Sequence, residues 1–323
     1  MDQKKARRAV CVMLCAVVLA CTPVADLIMS KPLVATILFL ETGKVLRTPP
    51  NRAEATPIVT APPESPTPTQ PAQPPKAPEI VPGFSAEDAR LVQVQSYCGY
   101  ETDVPAWLAT PLSWNLQQTQ PTVLILHSHA TEGYENTPNY RSQNREENVV
   151  SIGDALTRRL EAAGIRVIHD RELHDYPSYN DSYDNSRAAA KKYLTEYPSI
   201  LLVLDLHRDA VEDTQGNQIK YTVQTPTGAA ARIMLVVGTD AGGLTHGKWP
   251  ENMSLAVKFQ AQLEKIQPGI CRPISFRSQR FNQDLSTGAL LVEMGSAGNT
   301  RQEALLTVQY LAEAIIALAN GTE

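Results

Sequence analysis

Apolar residues fall into three regimes along the chain. Over residues 9–25 they are nearly continuous (AVCVMLCAVVLACTPVA), broken by Thr22 and Pro23. Over 48–83 they almost disappear, in TPPNRAEATPIVTAPPESPTPTQPAQPPKAPEIVPG. From about residue 86 they return in blocks of two periods. TVLILH (122–127), SILLVLDLH (199–207), ARIMLVVGT (231–239) and ALLVEMG (289–295) are short and apolar at successive positions, as strands buried on both faces are, and IRVIHD (165–170) adds a shorter one. Between them, residues 148–164, 182–197, 252–269 and 299–320 repeat apolar positions every three or four, with stops at Gly164 and Pro268-Gly269, and so predict helices. Alternating strands and helices predict an α/β domain, a mostly parallel sheet flanked by helices on both faces. Ligand sites in such sheets gather beyond the carboxyl ends of strands.

These regimes divide the chain into residues 1–47, 48–83 and 84–323. Lys4, Lys5, Arg7 and Arg8 precede the first apolar run, the arrangement of a secretory signal or signal anchor. The run is at the short limit for a span, which needs roughly 17 to 25 residues. An uncleaved anchor is the expectation, with lipidation at Cys21 as the alternative. The second apolar piece, residues 32–43, is too short to span. The proline-rich segment cannot bury a core and is expected to act as a semi-rigid tether, reaching up to roughly 100 Å in polyproline geometry.

A net charge of -5 argues against a protein that grips nucleic-acid phosphates. Three of the five cysteines, Cys11, Cys15 and Cys21, lie in the apolar segment; Cys98 and Cys271 remain for the domain. Two cysteines make no disulfide framework, although they could pair, and no CxxC suggests a thiolate metal site.

The chemistry concentrates where apolar runs end. LILHSHATE places His127, His129 and Glu132 after one strand, LLVLDLHRD places His207 near the end of another, and LLVEMG carries Glu293. Two neutral imidazoles and a carboxylate suit zinc with an open position, and a further carboxylate could serve as general base. Glu293, on an apolar strand, is the candidate base, because desolvation would raise its pKa toward neutrality. Arg208 and Asp209 flank His207 and could orient a ligand. Arg280, Asn282 and Gln283 in RFNQD could contact a peptide carboxylate or carbonyl, and His246 in GGLTHGKW could touch substrate. His169 and His174 are expected to be structural, and Tyr176, Tyr179 and Tyr183 to pack their loop.

The blocks HSHATEGY, NVVSIGDAL, HDYPSYNDSYDNS, YPSILLVLDLHRDA, GGLTHGKWPENMSLA and RFNQDLSTGALLVEMGSAGNT, in this order, resemble the stage II sporulation protein P family over about residues 122–319. The resemblance implies an amidase_3-like fold and a zinc-dependent N-acetylmuramoyl-L-alanine amidase acting on peptidoglycan during engulfment, with peptide cross-links as a second target. Carried over by position, it implies His207 as a metal ligand and Glu293 as the catalytic glutamate. The other histidine is His129 or His127, with His129 favoured. The third ligand is Glu132, with Glu146 or Glu147, just before the first helix, as alternatives. It further implies a lytic transglycosylase partner (stage II sporulation protein D), a membrane scaffold (stage II sporulation protein M), and a membrane location with the domain on the extracytoplasmic side, in the septal space. An endopeptidase alone, or a non-catalytic wall-binding module, are the competing functions.

Overall fold

The computed structural model describes residues 83–85, 87–112 and 114–320. The expected anchor, and all but the last residue of the expected tether, lie outside them. No helix among the described residues is long and apolar enough to cross a membrane. In chain order the elements are β1 (Val94–Ser96), α1 (Val104–Ala109), β2 (Val123–Leu126), α2 (Val149–Ala162), β3 (Val167–His169), α3 (Ser182–Glu196), β4 (Leu202–Asp209), β5 (Thr222–Thr225), β6 (Gly228–Ala231), β7 (Ile233–Val237), α4 (Trp249–Ile266), β8 (Ile274–Phe276), β9 (Ala289–Ser296) and α5 (Arg301–Asn320).

Seven strands form one sheet in the order β1-β8-β7-β9-β4-β2-β3, and β5 and β6 form a separate hairpin. Every neighbouring pair in the large sheet is parallel except β7 and β9. The sheet is therefore mixed, and the physical reason lies in the connection. After β4 the chain passes through the β5–β6 hairpin straight into β7 with no crossover helix, so β7 runs opposite to β4 and to β4's parallel neighbour β9. The helix α4 then returns the chain so that β8 lies parallel to β7.

Period-two alternation sorts the strand side chains onto two faces. Ile125, Leu204, Leu206, Leu235, Ile274 and Val292 share one core with residues of α1, α2, α4 and α5, among them Leu108, Ile152, Phe259 and Leu311. Burial contributes about 1.5–3 kcal/mol for each such aliphatic side chain, so this core fixes the register; a one-residue slip would turn the set to the other face. The opposite face is covered only in part. Leu124, Leu126, Val203 and Ala289 pack against Ala190, Tyr193 and Leu194 of α3. Beyond α3, over β9, β7 and β8, that face forms the floor of an open cleft.

The start of α2 is tied to the strand-end loop. Asn148 caps it through Oδ1, which accepts from the Val150 amide at 3.0 Å, and the Val149 amide donates to the Glu132 carbonyl at 2.9 Å. Glu132 is thereby held beside the helix N-terminus. Cys98 and Cys271 are both free thiols.

Candidate functional site

The cleft encloses about 600 Å³. His129, Glu132, His207 and Glu293 border one end of it together with Tyr183. Sheet pairing brings two of them side by side, since His207 of β4 is in register with Glu293 of β9. Neither stands at a strand end, as the sequence pattern suggested: β4 continues to Asp209 and β9 to Ser296. The candidate chemistry sits on the sheet face, in the part α3 leaves bare.

His207 lies between two carboxylates. Its Nδ1 is 3.3 Å from Glu132 Oε2, and its Nε2 is 2.9 Å from Asp205 Oδ1, a close approach whose alignment is too poor for a hydrogen bond. Asp205 is itself fixed by the amide and hydroxyl of Ser128, which donate at 2.7 and 2.5 Å. The His129 and His207 rings stand perpendicular with centroids 5.3 Å apart, while Tyr179 stacks on His129 at 4.5 Å and 7°. Among the enclosed atoms without a hydrogen-bond partner, three belong to residues at this end of the cleft: His129 Nδ1, His207 Nε2 and Glu293 Oε2. Orphaned buried donors and acceptors are rare in folded proteins, and three converging on one cleft mark a place built for a ligand.

The protonation states diverge accordingly. Burial opposes charge on His207, yet Asp205 and Glu132 raise its pKa well above the usual value. Burial also works against ionised Glu132, but His207, then Arg208 and His129, bring its pKa to about 2. Burial lifts Glu293 to about 8, with Glu132 and Asp209 adding repulsion against the pull of His207. Burial, then His207, lowers His129. The site thus contains a committed carboxylate and a carboxyl poised near neutrality, the kind of divergence that accompanies acid–base function.

His127 lies on the other face. It continues the parity of Val123 and Ile125, its Nδ1 donates to the Leu206 carbonyl at 2.9 Å, and its Nε2 meets His169 Nε2 at 2.9 Å. Burial, then His169, lowers its pKa to about 3. His169 in turn faces Asp154 of α2 at 3.1 Å. Gly153 makes this pairing possible: a Cβ there would stand 2.5 Å from His169 Nε2 and 2.8 Å from His127 Nε2. Between the two strand-end histidines, only His129 borders the cleft.

Glu147 is exposed and accepts from Ser142 Oγ and Asn144 Nδ2 in the capping loop, where the Glu146 amide donates to Asn144 Oδ1. Arg208 does border the cleft and binds Glu132 through its amide at 3.1 Å; its guanidinium donates to the Gly133 and Tyr140 carbonyls. Asp209 accepts from Arg272 at 2.7 Å. Arg280 pairs with Asp284, and Asn282 donates to the Tyr183 carbonyl, so both brace the loop whose Phe281 reaches the cleft. His246 is fully buried away from the cleft with both ring nitrogens unpartnered.

Among the described residues, Asp170, Glu172 and His174 have ligand atoms all within 4.8 Å of one another, a spacing that His129, Glu132 and His207 do not reach. Asp170 accepts from the Glu172 amide and from His174 Nε2, both at 3.0 Å, so the group is held by its own hydrogen bonds. Sequence reasoning missed Asp205, Tyr97, Arg272 and Arg277, and assigned Tyr179 to loop packing although it is half exposed and stacks on His129. Alternation with His207 could have indicated Asp205.

A relative, stage II sporulation protein P of Bacillus subtilis (strain 168), is 29% identical over 199 residues, covering 56% of this chain and 47% of that protein. The chain thus matches about half the length of that relative. Among solved structures, the N-acetylmuramoyl-L-alanine amidase AmiC2 of Nostoc punctiforme superposes with a TM-score of 0.39 at 15% identity, over 62% of this chain and 95% of that one. The N-acetylmuramoyl-L-alanine amidase from Clostridium difficile 630 gives 0.39 at 17%, over 63% and 96%. Both likenesses are loose. The family profile described as Stage II sporulation protein P (SpoIIP) matches residues 60–316. That span includes every element lining the cleft and most of the chain, and the protein is a member of the stage II sporulation protein P family.

Proposed function

We propose that this chain is a zinc-dependent N-acetylmuramoyl-L-alanine amidase that cuts peptidoglycan during engulfment in sporulation. The observation carrying this reading is the convergence, on one cleft floor, of two perpendicular imidazoles and two carboxylates of opposite protonation tendency, with unpartnered atoms on His129, His207 and Glu293. By donor type the set fits zinc: His129, Glu132 and His207 would hold the ion with two nitrogens and a carboxylate once drawn together around it. Bound there, zinc supplies Lewis acidity that polarises an amide carbonyl and acidifies water.

The chain's own residues do the rest. Asp205, fixed by Ser128, holds the His207 imidazole in place. Arg208 anchors Glu132 through its backbone amide and guanidinium. Tyr179 stacks on one face of the His129 ring and limits its rotation. Glu293, ionised, takes a proton from the attacking water and returns it to the departing amine; a carboxyl with its pKa near neutrality can do both. Family membership directs this chemistry to the cell wall, where the amide between the lactyl group of muramic acid and L-alanine is the target.

In this reading residues 9–25 anchor the chain in the membrane and residues 48–83 tether the domain on the extracytoplasmic side, within reach of the septal wall, alongside a stage II sporulation protein D transglycosylase and a stage II sporulation protein M scaffold. Mass spectrometry of muropeptides after digestion with the zinc-loaded protein is the test. Free stem peptides with intact glycan support the amidase. Cleaved cross-bridges alone would replace it by an endopeptidase, and an unaltered wall would leave only a binding module.

A further inference from the structure

The end of the cleft away from the histidines carries a different chemistry. Three arginines border the cleft, and two are committed. Arg208 serves Glu132 and two backbone carbonyls. Arg272 binds Asp209 at 2.7 Å and covers the Tyr221 ring at 4.0 Å. Arg277 has no carboxylate or carbonyl partner for its guanidinium among the described residues. It lies over the ring of Tyr97 at 5.0 Å, and Tyr97 is itself 60% exposed.

Its backbone is nevertheless fixed. The Arg277 amide donates to the Val237 carbonyl at 2.8 Å, and its carbonyl accepts from Thr239 Oγ1 at 2.9 Å. Pairing of Leu291 with Val236, and of Val236 with Ser275, makes these three neighbours in one row of the cleft floor. Glu293 lies two residues beyond this row on β9. Arg277 lies two residues beyond it, just past the end of β8, in the opposite direction because β8 and β9 run antiparallel. Strand rise and spacing then separate their Cα atoms by roughly 16 Å. An extended peptide covers at most ~3.3–3.6 Å per residue, so a chain cut at Glu293 would draw level with Arg277 about four to five residues later.

We propose that Arg277, stacked on Tyr97, is a carboxylate-binding subsite that selects and orients an anionic peptide whose scissile amide lies at Glu293. This rests on the amide-hydrolase reading above and adds to it a direction and a substrate requirement. A planar guanidinium with an unused fork of donors, backed by an aromatic ring, matches a carboxylate in two parallel hydrogen bonds. The stem peptides of peptidoglycan carry free carboxylates on the residues that follow L-alanine. The peptide therefore lies across β9, β7 and β8, and the glycan leaves the cleft at the His129 end.

The test uses two synthetic muramoyl peptides, one with free carboxylates at the fourth and fifth residues and one with these amidated, together with the matching stem peptides lacking sugar. The zinc-loaded protein and Arg277→Met and Arg277→Lys variants are compared. A charge-assisted pair predicts that wild type favours the free form by about 10- to 100-fold, mainly through KM. Arg277→Met is expected to lose this preference while keeping the rate on the amidated peptide, and Arg277→Lys to recover part of it. An unchanged melting temperature shows that the variants fold. The inference is overturned if wild type does not distinguish the two peptides, or if Arg277→Met lowers both equally. Calorimetric binding of the sugar-free stem peptides separates this from the reaction: Arg277-dependent binding without cleavage upholds the subsite and removes the amidase, whereas cleavage without carboxylate preference does the reverse.

Discussion

Glu293 offers a thermodynamic test that needs no substrate. Its Oε2 is enclosed without a partner, and burial lifts its pKa from 4.5 to about 8. A carboxyl whose folded pKa exceeds its unfolded value binds more protons when folded, so its contribution to stability is fully present below pH 4.5 and is lost progressively as pH rises toward 8. Each tenfold difference in proton affinity corresponds to about 1.4 kcal/mol, which caps the loss at about 5 kcal/mol. Glu293→Gln imitates the protonated form and removes the dependence. Urea unfolding of chelator-treated wild type and variant at pH 5 and pH 8 measures this directly. The variant is expected to be more stable than wild type at pH 8, by about 2 kcal/mol or more, and nearly equal at pH 5. If both proteins respond identically to pH, Glu293 is ionised in the ordinary carboxylate range and its assignment as a poised acid–base group loses its basis.

Asp205→Asn is expected to weaken zinc binding by about 10- to 100-fold in a chelator competition titration, because it loosens the imidazole of His207. Zinc binding should release protons and tighten as pH rises through the raised pKa of His207, which pH-stat titration would show; binding equally tight at pH 5 and pH 8 would contradict that state. Gly153→Ala should destabilise the domain by about 1–3 kcal/mol in urea unfolding, because the new methyl meets the His127–His169 pair. His127→Phe is expected to keep one equivalent of zinc by atomic emission, and His129→Ala to lose it.

The longer elements were legible because they carry enough turns or apolar positions to show a period. The helix read over 252–269 is α4, which starts earlier, at Trp249, with Pro250 in its first turn, where the missing amide costs nothing. β1, α1 and β8 escaped, since three to six residues show no period and, unlike the equally short β2 and β3, they carry no run of β-branched and leucine residues to mark them. That loss mattered, because β8 carries Ser275 and leads into Arg277, and both border the cleft. The reversal of β7 depends on a connection without a crossover helix, which strand composition does not reveal.

The site was legible only in part for the same physical reason. His207 and Glu293 stood out as polar residues in apolar runs, and the pairing of their strands places them together. The choice between His127 and His129 could not be read from VLIL, because a strand apolar at every position gives no sign of which face is which. Once α2 and α3 are seen to cover opposite faces, parity places His127 under α2. The sheet-edge expectation went astray because strands persist past their polar residues wherever a neighbour continues the ladder, as β9 does beside Asp209.

The most direct test of the account is anomalous diffraction at the zinc edge from crystals of the zinc-loaded domain. One ion is expected at the cleft floor, about 2 Å from His129, Glu132 and His207, with Glu293 facing it but not bound. A single ion held instead by Asp170, Glu172 and His174, or by His127, would contradict it.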